Sequence, residues 1–315
     1  MNRTDLVSVV KAFQSTSCRV AVLYACLLVL PLPGLASVIP KASERECKRM
    51  VAKGDQLYST GAYHGSVNFY QQAVVAEPAS SEAHLKYGRA LARLGSNTEA
   101  LKELFQSLIL NADHPESNLS ARAEIASILM KQGNYDEAGG QLKQIVDLSP
   151  NDSSARGNYA ICLEHLGFVD AAIDQLKLIL KTNSYDTVVL YNLGAAYLRK
   201  GDGAAAKKYF ERVIAIDPKQ VMSYLGLANA SMLGGNNQEA LKFCLKAVEI
   251  APENHYAFLS LGDVYEKLED KGRAVDAYKR AIQINPRDSA SRAALVKLLQ
   301  TSRAVAASQQ LHASQ

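Results

Sequence analysis

LGAAYLRKGDGAAAKKYF, residues 193–210, reads as two amphipathic helical segments broken at Gly201. Gly194 lies inside the first segment, beside Leu193 and three residues before Tyr197. Glycine there costs a helix about 1 kcal/mol relative to alanine. A compensating interaction must therefore come from outside the segment, and a close approach by a second helix is the simplest source.

The stretch recurs along the chain. Steps of 34 residues forward from Leu193-Gly194 reach Leu227-Ala228 and Leu261-Gly262, and steps backward reach Tyr159-Ala160 and Ile125-Ala126. One step of 38 then gives Tyr87-Gly88, and a last step of 34 gives Lys53-Gly54. The second member of each pair is Gly or Ala. Three residues on, Leu57, Leu91, Leu129, Leu163, Tyr197 and Tyr265 are bulky, and only Ser231 departs. Gly61, Gly95, Gly133, Gly167, Gly201 and Gly235 stand at the first break. The second segment repeats a small residue (Ser66, Ala100, Ala138, Ala172, Ala206, Ala240, Ala274), and one turn later come Tyr70, Leu104, Leu142, Leu176, Phe210, Cys244 and Tyr278. Pro78, Pro150, Pro218, Pro252 and Pro286 close five units. Residues 47–288 thus hold seven helix pairs plus four extra residues, placed around Asp113–Glu116 because Pro115 falls late.

One helix pair cannot bury its own apolar stripe, so each must stack on its neighbours. Small residues at Gly194 and Ala206 allow the two helices of a unit to approach closely, with Leu193, Tyr197 and Phe210 filling the space around them. Gly201 accepts the left-handed backbone that ends the first helix. This pattern resembles the tetratricopeptide repeat family. Leu261, Gly262, Tyr265, Ala274, Tyr278, Ala281 and Pro286 match its signature with Tyr for Phe, and Phe258 stands where Trp is usual. The resemblance implies an all-α fold, a right-handed superhelix of antiparallel helix pairs with an inner groove. The unit from Ser153 is the most divergent, with Ser184 in place of proline. Residues 289–300 are expected to form a capping helix, with Leu295 and Leu299 inward and Arg292 and Lys297 outward, and residues 301–315 a disordered tail.

The first residues differ in character. Arg3, Lys11 and Arg19 precede an uncharged run, Val20 to Ile39, with a small-residue site at Gly34-Leu35-Ala36. This fits a signal peptide over residues 1–36 followed by a linker over 37–46. A retained signal anchor over residues 20–39 is the alternative, which Pro31 and Pro33 disfavour as a continuous span. Either reading exports the rest of the chain, to the periplasm or the exterior, or anchors it to a membrane. The net charge of +4 falls to +2 once Arg3, Lys11, Arg19 and Asp5 are removed, too little to argue for nucleic acid. Cys47, Cys162 and Cys244 then remain, odd in number and widely spaced, so no disulfide framework is expected.

The six histidines are scattered over different units, and no metal-binding or nucleophile motif occurs. Gly201-Asp202-Gly203 and Gly234-Gly235-Asn236-Asn237 lack the Lys-Ser/Thr ending of a phosphate loop and read as turns. No catalytic, metal or cofactor residue is assigned and no cofactor is expected. The outward positions of the first helices are the candidate site instead. Lys86, Arg89 and Arg93, continued by Lys131, form a basic stripe. Farther on come Asn158, Tyr191, Asn192 and Arg199, then Met222, Leu225 and Asn229, then Tyr256 and Leu259. Amides both donate and accept, so they can pair with a peptide backbone of any sequence, while Tyr and Met offer adaptable apolar contact. The expectation is a groove for a partner peptide, cationic toward the first units and apolar toward the last. The same cations also suit a solvated face, and the tyrosines suit packing between units. Versions of the family that grip a chaperone's terminal carboxylate need Lys and Asn where this chain has Val51 and Asp55, which argues against that ligand. The expected function is a non-catalytic protein–protein interaction scaffold of an exported compartment. A recruiting subunit of an enzyme or of a secretion or pilus assembly complex is the alternative.

Overall fold

The computed structural model describes residues 41–313, a succession of α-helices with no strand among the described residues. Seven helix pairs follow one another. They are α1 (Lys41–Ser59) with α2 (Tyr63–Ala76), α3 (Ser81–Arg93) with α4 (Asn97–Leu110), and α5 (Leu119–Lys131) with α6 (Tyr135–Leu148). Next come α7 (Ser153–His165) with α8 (Val169–Thr182), α9 (Thr187–Lys200) with α10 (Gly203–Ile216), α11 (Val221–Leu233) with α12 (Asn237–Ile250), and α13 (His255–Lys267) with α14 (Lys271–Ile284). A last helix, α15 (Ser289–Ala313), packs on α14. Each helix contacts the next along the chain.

Side-chain size sets the spacing inside each pair. The small residues Ser66, Ala100, Ala138, Ala172, Ala206, Ala240 and Ala274 are all inaccessible to solvent, and the larger residues one turn later are buried with them. Phe210 shows how. A methyl group on Gly194 would lie 2.7 Å from Cε1 and Cζ of the Phe210 ring, and one on Gly226 would lie 2.5 Å from Cζ of the same ring. One aromatic ring therefore sits between α9 and α11, seated on a glycine of each. Tyr70 on Gly54, Leu104 on Gly88 and Tyr278 on Gly262 repeat the contact.

The first helix of six units ends on a glycine at φ between 76° and 85°, as the sequence predicts for Gly201. In the seventh unit the same turn falls on Glu269, held at φ 61° although its side chain disfavours that region. Side-chain caps open several helices. Asp186, for example, accepts from the amides of Val188 and Val189 at 3.1 Å, satisfying donors that the helix cannot.

Neighbouring units are also tied by polar contacts. His84, Arg156 and Tyr224 occupy matching sites, and each bonds the carbonyl of the proline that closes the preceding unit, Pro78, Pro150 and Pro218 respectively. Three chemically different side chains thus satisfy the same loop acceptor. Cys47, Cys162 and Cys244 are free and buried, and loss of solvation pushes the Cys244 thiol up to about 12 and Cys162 to about 11.

Several boundaries differ from expectation. The expected linker over 37–46 is helical from Lys41 on, because Pro40 is the last helix breaker before α1. The expected signal segment, residues 1–36, and the apolar run over 20–39 lie outside the described residues, and no described helix is long and apolar enough to cross a membrane. A 3-10 turn at Pro115–Asn118 overlaps the place expected for the four extra residues, Asp113–Glu116. At the other end α15 runs on to Ala313 instead of stopping near Gln300, since no Gly or Pro follows Pro286 to end it. Leu295 packs on the core and Arg292 and Lys297 face solvent as expected, but Leu298 takes the buried place expected of Leu299, which is exposed.

Candidate functional site

Consecutive first helices touch one another, α1 with α3, α3 with α5, α9 with α11 and α11 with α13, while consecutive second helices approach less closely. The first helices therefore line the inner, concave side and the second helices splay outside. On α9 the core takes Val189, Leu190, Leu193, Gly194 and Ala196, which leaves Val188, Asn192, Ala195 and Arg199 along one unburied face. Matching positions on the other first helices complete the concave surface.

Toward the first units the expected basic stripe is present but not free. Lys86 Nζ lies 2.6 Å from Asp55 Oδ2 on α1 and 3.0 Å from Glu82 Oε1. Partial burial works to lower its pKa, yet the hydrogen bonds it donates to Asp55 and Glu82, with their charges, outweigh it and hold the ammonium above its usual range. Arg89 Nε lies 2.9 Å from Glu124 Oε1 on α5, an ion pair without an aligned hydrogen bond. Arg93 Nε donates to the Tyr58 hydroxyl at 2.9 Å. Lys131 is exposed. The expectation of a cationic groove is therefore corrected: acids one unit away neutralise Lys86 and Arg89. Such pairs span about one repeat, and reading the acids at outward positions together with the bases would have found them.

The middle of the surface is mixed. Asn158 is exposed and Asn192 half-buried at matching sites, and Asn229 is exposed on the same face of α11. Tyr191 is largely committed to packing. Its ring meets Phe210 edge-on at 5.6 Å, and desolvation raises its phenol pKa. Arg199 pairs with Glu164 Oε2 at 3.0 Å. The Glu164 side chain is only 10% exposed, and its Oε1 has no partner. Burial raises this carboxyl's pKa, against the pull of Arg199.

Toward the last units the apolar expectation holds in part. Met222 is 41% exposed and Tyr256 50% exposed, and Val188, which the sequence reading passed over, is 65% exposed at the matching site of α9. Leu259 is half-buried against the α13–α14 core. Leu225 is a correction. It is 4% exposed and packs with Ala247 and Ala257, so it belongs to the seam between α11, α12 and α13 and not to the groove. Two acids were also missed here, Asp263 and Glu266, which share the face with Tyr256 and Leu259. Their spacing of seven and ten residues from Tyr256 was the available signal.

Seven stacked helix pairs, three of them with an aromatic ring seated on a glycine, invite comparison with known proteins. The Tetratricopeptide repeat family matches residues 51–117, 129–197, 191–255 and 255–288. The chain belongs to the tetratricopeptide repeat family. No curated protein matches it. Among solved structures, a tetratricopeptide repeat protein from Parabacteroides merdae is 17% identical, with 81% of this chain and 99% of that chain covered at a TM-score of 0.63. The C-terminal part of a TPR repeat-containing protein from Cytophaga hutchinsonii is 20% identical, with 77% and 98% covered and a TM-score of 0.61. Pseudomonas aeruginosa pilF is 16% identical over 69% and 97%, with a TM-score of 0.52. At these identities the likeness is one of fold. Tetratricopeptide repeats are consistent with protein partners and with a scaffold role.

Proposed function

We propose that this chain is a non-catalytic scaffold that binds segments of partner proteins along the concave face of its superhelix, in a compartment reached by export. The observation that carries the groove is the unburied face of α9, α11 and α13, where Val188, Met222 and Tyr256 stand open to solvent at matching sites beside the amides Asn192 and Asn229. Large apolar side chains that stay exposed in register over three units are hard to account for as solvent-facing surface and suit a partner's side chains. The export part rests on the basic start and the apolar run at residues 20–39.

Crosslinking in the native host, followed by capture of the full chain, tests the reading. Specific partners should be retained, and the double variant Asn192→Ala, Tyr256→Ala should weaken their capture without changing the melting temperature. Undiminished capture by that variant would remove the groove as the binding surface. Recovery of the chain in the cytoplasmic fraction with its first residues intact would remove export.

A further inference from the structure

Asp55 and Asp263 occupy equivalent places in the first and seventh units, and the chain builds the same frame around both. Tyr70 donates its hydroxyl to Asp55 Oδ1 at 2.7 Å, and Tyr278 donates its hydroxyl to Asp263 Oδ1 at 2.7 Å. In the first unit the other oxygen, Asp55 Oδ2, takes the Lys86 ammonium at 2.6 Å. The residue in the place of Lys86 after the seventh unit is Ala294, which carries no charge. Glu266 adds a second carboxylate, its Oε2 lying 3.1 Å from the same Tyr278 hydroxyl. One phenolic proton is thus shared between two carboxylates, with no cation within 4 Å of either among the described residues.

This end of the groove differs from the rest. Asp55 and Glu82 are answered by Lys86, Glu124 by Arg89 and Glu164 by Arg199. The cations near Asp263 do not close the gap. Lys297 acts on it only at longer range, and Arg273 is held by Asp270 and stacked over Tyr265. Desolvation, together with the charge of Glu266, holds the Asp263 carboxyl above its usual range, against the Tyr278 hydrogen bond and the distant Lys297. The exposed side chains of Met222 and Tyr256 stand on the same concave face.

We infer that the last units of the groove take a partner segment in which a lysine or arginine is flanked by apolar residues. This rests on the groove reading above and names the chemistry of its occupant. The basic side chain sits at Asp263 and Glu266, as Lys86 sits at Asp55, and the apolar neighbours cover Met222 and Tyr256. Charge complementarity selects this occupant over an acidic segment, which would face two uncompensated carboxylates.

Fluorescence anisotropy with the full chain tests it. The probes are short labelled peptides with one lysine between leucines and valines, and counterparts with glutamine or glutamate in place of the lysine. The lysine peptide should bind roughly five- to tenfold more tightly than the glutamine one, the range of a charge-assisted contact at a half-open site. The glutamate peptide should be weakest. The preference should vanish in Asp263→Asn with Glu266→Gln, whose amide oxygens still accept from Tyr278, and should persist in the control Glu124→Gln. Equal binding of the lysine and glutamine peptides, no binding by any of them, or a preference that survives the double variant would overturn the inference. Self-association that the double variant abolishes would also overturn it, since the occupant would then be a second copy. The groove reading fails separately: apolar-dependent binding lost in Tyr256→Ala but without lysine preference would leave that reading standing while this one falls.

Discussion

Gly194→Ala separates two opposed expectations. Helix propensity alone favours the variant by about 1 kcal/mol, because alanine is the better helix former. The packing opposes it. The new methyl group would lie 2.7 Å from two atoms of the Phe210 ring and 2.9 Å from a third. That ring has nowhere to retreat, since it is buried and its other side already rests on Gly226, where a methyl group would lie only 2.5 Å away. Inserting a methyl group into so full a site costs typically about 1–3 kcal/mol, so a net loss on the order of 1–2 kcal/mol is expected. The assay is urea unfolding followed by circular dichroism, with hydrogen exchange to locate the loss at α9–α11, because solenoid units lose stability through their neighbours. Gly157→Ala is the matched control. Its nearest foreign atom is Ile179 Cδ1 at 3.9 Å, so only propensity acts and a gain of about 0.5–1 kcal/mol is expected. Phe210→Leu should reduce the penalty of Gly194→Ala, giving a favourable coupling in the double-mutant cycle. If Gly194→Ala stabilises as much as Gly157→Ala, the account of why this glycine is there is wrong.

The turn after α13 offers a gain. Glu269→Gly, which restores the glycine of the other six units at φ 61°, should raise stability by up to about 1 kcal/mol in thermal unfolding, and a loss would show that the left-handed turn is not strained. Glu164→Gln should stabilise the chain at neutral pH, because burial raises the carboxyl's folded pKa and so disfavours the ionised form. That gain should shrink as pH falls through the raised folded value and vanish below the ordinary 4.5, where the carboxyl is protonated in both the folded and unfolded states. A lower melting temperature for the variant at pH 7 would show that the charge pair with Arg199 outweighs burial.

Much of the fold was legible in the chain because a repeat states its packing rules several times. The glycines that end first helices, the small residue of each second helix and the large residue one turn later all occupy the places their spacing predicts. The lapses are local. Leu225 was placed in the groove from its helical position, but the adjoining Ala247 and Ala257 leave room that draws its side chain into the seam. Leu298 and Leu299 stand three and four residues after Leu295, so helical spacing suits both, and packing against the α13–α14 core covers Leu298. The groove was half legible: Met222, Tyr256 and the amides stand where expected, while the basic stripe changed meaning.

The sequence by itself determined the period, the helix ends and the close approach within each pair, since these depend on residues within one unit and on backbone preferences that repeat with it. Only the tertiary structure decided which groove charges are spent and which are free. Lys86 and Arg89 meet acids in neighbouring units at 2.6 and 2.9 Å, and whether a side chain reaches across that seam depends on the stacking of two helices. The same stacking left Asp263 and Glu266 without a cation within 4 Å among the described residues, because α15 offers Ala294 where α3 offers Lys86.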